Sequence, residues 1–148
     1  MSLKAKLQDD LKEAMRSKDK TRLAAIRMLR AAVLEREKSG EGEVAEEDII
    51  AIVQKQAKQR RDAIEQFEAA GRDDLAKQET QELAVIKQYL PPQMTDEELS
   101  SAVREIVTRT GAEGMKDMGR VMGQAMQQLR GKADGRRVKE AVEAVLKS

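Results

Sequence analysis

Apolar residues recur every three or four positions along almost the whole chain, the spacing of helices that bury one face. Leu3, Leu7, Leu11 and Met15 make a first stripe, with Ser2 placed as its N-cap. Residues 17–19 interrupt it. Asp19 is positioned to cap a second helix whose stripe is Leu23, Ile26, Leu29 and Val33, ending near Ser39 and Gly40. An acidic turn, Glu41 to Glu43, leads to a third helix over about residues 45–70. Its stripe is Ile49, Val53, Ala57, Arg60, Ile64 and Phe67. Glu46, Glu47 and Asp48 occupy its first turn, as the helix dipole favours, and Gly71 is a suitable stop. A fourth helix over about residues 73–89 turns Leu75, Leu83, Ile86 and Leu90 inward.

Pro91 and Pro92 then break the pattern, because neither donates a backbone hydrogen bond and each disfavours helix before it. Thr95 and Glu98 have the spacing of a capping box for a fifth helix carrying Leu99, Val103, Ile106 and Val107, ended by Gly111. The sixth starts between Met115 and Asp117 and runs to Leu129, using Met118, Val121, Met122, Ala125 and Leu129. Gly119 and Gly123 within it each cost about 1 kcal/mol relative to alanine, which predicts a close approach by another helix. A turn at residues 131–134, with Asp134 as cap, opens a seventh helix carrying Val138, Ala141, Val142, Val145 and Leu146. No strand-like alternation stands out. The expectation is an all-α chain: an N-terminal four-helix part, residues 1–90, joined at a Pro-Pro hinge to a C-terminal three-helix bundle, residues 93–148.

The residue inventory narrows the chemistry. The 148 residues contain no Cys and no His. Disulfides, thiolate zinc sites, histidine metal triads and Cys–His or Ser–His nucleophile pairs are all excluded. Phe67 and Tyr89 are the only aromatics, too few for a platform that stacks single-stranded bases. No apolar run is long enough to span a bilayer. Residues 1–10 lack the apolar core of a signal peptide. The expectation is a cytoplasmic protein with no membrane association, no cofactor and no metal.

The paired carboxylates, Asp73/Asp74 and Glu97/Glu98, sit at helix starts, where anions are structurally useful, rather than in an apolar setting that would make an acid–base pair. Residues 111–116 lack the spacing of a phosphate loop. The Met115, Met118, Met122 and Met126 series reads as core filling, with Met115 and Met126 able to form an adaptable partner surface. Arg60 within its stripe reads as a snorkelling or carboxylate-paired arginine.

The net charge is only +1, but it is unevenly placed. Residues 1–40 carry 11 basic and 6 acidic side chains, residues 41–90 carry 7 and 12. From Arg120 to Lys139, six cations face Asp134 alone. Arg130, Lys132, Arg136, Arg137 and Lys139 straddle one turn, where a concentrated field suited to a phosphate backbone is possible. Lys116 and Arg120 complete the set of candidate RNA-binding residues. No residue is a candidate for catalysis, and nothing supports base-specific reading.

Short motifs carry a family resemblance. They are DLKEAM at 10–15, KDK at 18–20, Arg22-Leu23, Ile26-Arg27, KQRR at 58–61, FEAAGRDDL at 67–75 and YLP at 89–91. MKDMG at 115–119, VMG at 121–123 and GKADG at 131–135 follow. In this order, over the whole chain, they resemble the YqeY family, also called the GatB/YqeY domain family. The resemblance implies a four-helix part followed by a three-helix part. It implies kinship with the tail of the B subunit of glutamine-dependent tRNA amidotransferase, a carbon–nitrogen ligase with glutamine as amido donor. That tail is thought to hold the tRNA body while catalysis occurs elsewhere. The implied function is a tRNA-binding-type module that recognises structured RNA by backbone and shape, without catalysis of its own. Its implied partners are tRNA or other structured RNA and amidotransferase or other translation proteins. The alternatives are an accessory factor of amide transfer to aminoacyl-tRNA and a protein-interaction adaptor.

Overall fold

The computed structural model describes residues 2–40 and 42–148; the acidic turn expected at Glu41 to Glu43 falls partly outside them. Among the described residues there are seven α-helices and no strand, so the chain is all-helical: α1 (Leu3–Ser17), α2 (Lys20–Lys38), α3 (Glu46–Ala69), α4 (Asp73–Lys87), α5 (Asp96–Thr110), α6 (Met118–Gln128) and α7 (Gly135–Lys147). A single 3-10 turn, Met115–Asp117, precedes α6. The chain forms two compact units, Met1–Leu90 and Pro91–Ser148.

Most helix ends follow their local chemistry. The Ser2 hydroxyl accepts from the Ala5 amide at 3.1 Å, and the Asp19 carboxylate from Arg22 at 3.1 Å. Gly71 and Gly111 adopt the left-handed conformation that closes α3 and α5. Thr95 and Glu98 form the reciprocal capping box, with both bonds at 3.1 Å.

In the first unit α1 and α2 pair, α2 also lies on α4, and the longest pairing is between α3 and α4. Leu7, Ile26, Leu29, Ile49, Val53 and Ile86 are fully buried at its centre. Each such side chain contributes about 1.5–3 kcal/mol of burial free energy. The expected α1 stripe corrects itself at its end: Met15 is 54% exposed, and Ala14 is buried in its place. A four-residue repeat advances about 40° per step on a helix of 3.6 residues per turn, so three such steps carry the stripe off the core side. Shortening the last step to three returns it.

Arg60 interrupts the apolar face of α3. Its Nη1 reaches Glu82 Oε2 at 2.5 Å and Glu79 Oε2 at 2.9 Å on α4, and its Nη2 meets Met28 Sδ at 3.0 Å on α2. The side chains of Arg60 and Glu82 are only 8% and 9% exposed. This arginine is therefore committed to carboxylates inside the fold and is not a phosphate contact. The Tyr89 hydroxyl similarly donates to Asp10 at 2.5 Å, tying the segment after α4 to α1.

In the second unit α7 packs against both α5 and α6, around Leu99, Val103, Ile106, Val121, Val138 and Val142. Met118 and Met122 are half-buried against this core, whereas Met115 and Met126 are exposed. The close helix approach expected at Gly119 and Gly123 does not occur: a methyl group at either position would meet nothing within 4 Å.

Two outcomes follow from the first unit. Removing one partner of a buried ion pair leaves the other uncompensated, so Arg60→Met should cost about 3–5 kcal/mol, and Arg60→Met combined with Glu82→Leu distinctly less. Urea unfolding followed by the fluorescence of Tyr89, the only tyrosine, measures both in this unit. Burial, then the Asp10 hydrogen bond and charge, push the Tyr89 phenol above its ordinary value of 10.0. A raised phenol stabilises the fold below the unfolded-state value and loses that contribution as pH climbs past about 10. Melting temperatures of wild type and Tyr89→Phe should therefore differ at pH 8 and converge at higher pH.

Candidate nucleic-acid interface

The seven candidate cations all lie in the second unit, but at different places on it. Arg130 and Lys132 are exposed on the turn between α6 and α7. Gly131 at its centre has φ +82°, a conformation that favours glycine. The turn is pinned from the segment before α5. The Met94 amide donates to the Lys132 carbonyl at 2.8 Å, and Gln93 Nε2 donates to the Gly131 carbonyl at 2.7 Å. Ala133 is buried beneath it, and the Asp134 carboxylate accepts from the Arg137 amide at 3.0 Å, starting α7. Two cations are thus displayed on a rigid turn while its carbonyls are satisfied from behind.

Arg136, Arg137 and Lys139 occupy the first turn and a half of α7. At 100° per residue, Arg137 and Lys139 lie about 200° apart, on opposite flanks of the helix, with Arg136 on the outer face between them. Arg137 is occupied. Its Nη2 donates to the Met94 carbonyl and to Asp96 Oδ1, both at 2.8 Å, and its side chain is 31% exposed. It fastens α7 to the start of α5. Arg136 pairs with Glu140 at 3.5 Å, one helical turn on, where both side chains are mostly exposed. Such a pair is worth about 0–1 kcal/mol.

Lys116 lies on the 3-10 turn before α6 and Arg120 in the first turn of that helix, at the end away from Arg130 and Lys132. Eight residue steps at 1.5 Å, about 12 Å along the axis, separate Arg120 from Gln128 at the end that leads to Arg130 and Lys132. Lys116 meets Glu113 at 3.5 Å with both groups exposed, and Arg120 meets Asp117 at 3.3 Å. Asp117 is held below the usual carboxylate range first by the Glu113 amide hydrogen bond, against an opposing effect of burial, and further by the charges of Arg120 and Lys116. The seven cations therefore form two separated groups rather than one field. The members with no ion pair among the described residues are Arg130, Lys132 and Lys139.

Sequence reasoning missed Gln93, Met94 and Asp96, which hold the cationic turn in place. Their partners lie some 40 residues downstream, and no local spacing announces the contact. No group of three or more potential metal-ligating side chains occurs among the described residues, and no described helix is long and apolar enough to cross a membrane.

What these observations define is an all-helical protein whose second unit displays a pinned cationic turn. The chain belongs to the Yqey-like protein family, whose model matches residues 4–146. It is 32% identical over 144 residues to the protein called "Altered inheritance of mitochondria protein 41, mitochondrial" of Pyrenophora tritici-repentis, covering 95% of this chain and 79% of that protein. The protein of that name from Saccharomyces cerevisiae is 38% identical over 85 residues, 57% of this chain and 46% of its own length. The one from Lachancea thermotolerans is 34% identical over 107 residues, 70% and 57% respectively. The chain thus spans about half the length of these two yeast relatives. The expected cytoplasmic location is overturned by these names, which place the relatives in the mitochondrion. A charged helical surface without cysteine suits either compartment, so composition could not separate them.

The pinned turn and the exposed helix face should respond differently to truncation. Arg137→Ala should destabilise the second unit by about 1–2 kcal/mol, because the half-buried Met94 carbonyl loses a charged donor. Arg136→Ala should stay within about 0.5 kcal/mol of wild type. Thermal unfolding followed by circular dichroism reads both.

Proposed function

We propose that this chain is a non-catalytic helical module that holds structured RNA, most simply tRNA, by its phosphate backbone. The first contact is the α6–α7 turn with Arg130, Lys132, Arg136 and Lys139. The second is Lys116 and Arg120, near the opposite end of α6. Two cationic groups at a fixed separation read the shape of a folded backbone rather than a base sequence. Arg137 acts indirectly by keeping the turn in place. Pro91 and Pro92 serve as the joint between the part at residues 1–90 and the part at residues 93–148.

The observation that carries this reading is the rigid display of Arg130 and Lys132, which have no ion pair among the described residues and whose turn is anchored by Gln93 and Met94. A turn already held in place loses little backbone freedom on meeting a phosphate. The exposed pairs of Lys116 and Arg136 open readily to an anion. With neither Cys nor His in the chain, a binding role fits the residues better than acyl or amide transfer by this polypeptide. The kinship with the amidotransferase tail points the same way. The fungal relatives carry mitochondrial names, so the RNA of this reading is sought first in that compartment.

Fluorescence anisotropy with an unmodified tRNA transcript tests the proposal. At about 50 mM salt, binding should fall steeply as salt rises. Arg130→Glu with Lys132→Glu should weaken it at least about tenfold and lower the salt slope by about two contacts, with the helical signal unchanged. Absence of wild-type binding at that salt, or an unaltered affinity and slope in the double variant, would refute it.

A further inference from the structure

Residues 1–40 match the candidate interface in positive excess, with 11 basic side chains against 6 acidic ones, and the fold gathers part of it on one edge of the α1–α2 hairpin. Between these helices lies a groove of about 160 Å³, lined by Lys4, Leu7 and Gln8 of α1 and by Arg30, Val33 and Leu34 of α2. Leu7 and Val33 form its floor, and Leu34 stands at its rim, 37% exposed.

The groove sets the register of a longer surface. Counting four, seven and eleven residues from Lys4 along α1 reaches Gln8, Leu11 and Met15. Counting the same steps back from Leu34 along α2 reaches Arg30, Arg27 and Leu23. Steps of four, seven and eleven keep to one side of a helix. The antiparallel hairpin therefore sets Lys4 across from Leu34, Gln8 from Arg30, Leu11 from Arg27 and Met15 from Leu23. The pattern is apolar at both ends, with Leu34 and the groove at one and Leu23 and exposed Met15 at the other, and two arginines between them. Neither Arg27 nor Arg30 has a carboxylate partner among the described residues, whereas Lys4 is tied to Glu37 at 2.5 Å.

We infer that this edge docks an acidic amphipathic helix of a partner protein, with two apolar anchors three turns apart and carboxylates between them. The volume decides against a small-molecule site, since ligand pockets run to about 300–1,000 Å³. An apolar space of about 150 Å³ holds one benzene-sized group, which is a single leucine or phenylalanine side chain. Leu23 and Leu34 are eleven residues apart, about 16 Å along a helix axis, so a partner helix lying alongside matches both anchors with its own residues eleven apart. Charge complementarity selects glutamate or aspartate at the intervening turns, where Arg27 and Arg30 wait unpaired. An RNA backbone would leave the apolar anchors unused, and a flat membrane surface would not enter the recessed groove.

The test uses the full chain and three labelled helical peptides. The first has leucines eleven residues apart with glutamates between, the second replaces the glutamates with lysines, and the third scrambles the order of the first. The glutamate peptide should bind at least about tenfold tighter than either control. Leu34→Asp and the pair Arg27→Glu with Arg30→Glu should each remove that advantage, and the charge-reversed protein should now prefer the lysine peptide. Leu34 and Arg27 are exposed, and circular dichroism of each variant confirms that the helices persist. Arg130→Glu with Lys132→Glu should bind the peptide as wild type does, which separates this inference from the RNA reading. Equal binding of the scrambled peptide, no binding, or engagement of this edge by tRNA or phosphatidylserine vesicles in place of the peptide would overturn it.

Discussion

Each helix of this protein has one narrow aliphatic stripe, and that constraint governs everything else. With two aromatic residues and no cysteine in 148 positions, cohesion comes from interdigitated leucine, isoleucine and valine on the inward faces. The rest of every helix surface is then left to charged side chains. Such a surface forms ion pairs between neighbouring turns, and some cations, among them Lys4, Arg22, Arg120 and Arg136, settle against a carboxylate within reach. Arg130 and Lys132 escape by sitting on a turn whose own backbone is satisfied from behind. Arg27 and Arg30 escape by facing an edge where the neighbouring helix offers Gln8 and Leu11.

Arg60 is the exception that marks how the first unit is specified. A hydrocarbon side chain at this place would satisfy the stripe of α3 equally well. A buried guanidinium instead demands Glu82 and Glu79 opposite it, so α3 and α4 can pair in one register only. The arrangement is a specificity device in the sense that a slipped pairing would strand a buried charge. The first unit therefore has both a hydrophobic centre and an ionic lock, whereas the second relies on burial, caps and the fastening of Arg137.

Much of the helical architecture was legible in the sequence because helix ends and stripes are written locally. Ser2, Asp19, Gly71, Thr95, Gly111 and Asp134 announce boundaries within a few residues of where they act. What could not be read were partners distant in sequence. Arg60 finds its carboxylates 19 and 22 residues on, and Arg137 meets Asp96 across 41 residues. Met15 misled because a strict four-residue repeat drifts around the helix, and Gly119 and Gly123 because space for a side chain exists where a close contact was expected. The candidate cations were legible as a cluster along the chain but not as two groups on the surface, since the length of α6 intervenes. The excess charge of residues 1–40 was visible from the start, yet only the register of α1 against α2 turns it into an edge with a pattern.

The electrostatic shifts in this molecule all move away from neutrality. The phenol at position 89 is pushed upward, while Asp74, Glu98 and Asp117 are drawn downward. Histidine and cysteine, whose ordinary values lie nearest to physiological acidity, are missing altogether. Protons therefore offer no handle on whatever this surface grips. Dissolved ions do, through screening over distances of about 8–10 Å, and so would any covalent modification that erases a lysine charge. Near neutrality such a surface answers to ionic strength and to loss of lysine charge rather than to acidity.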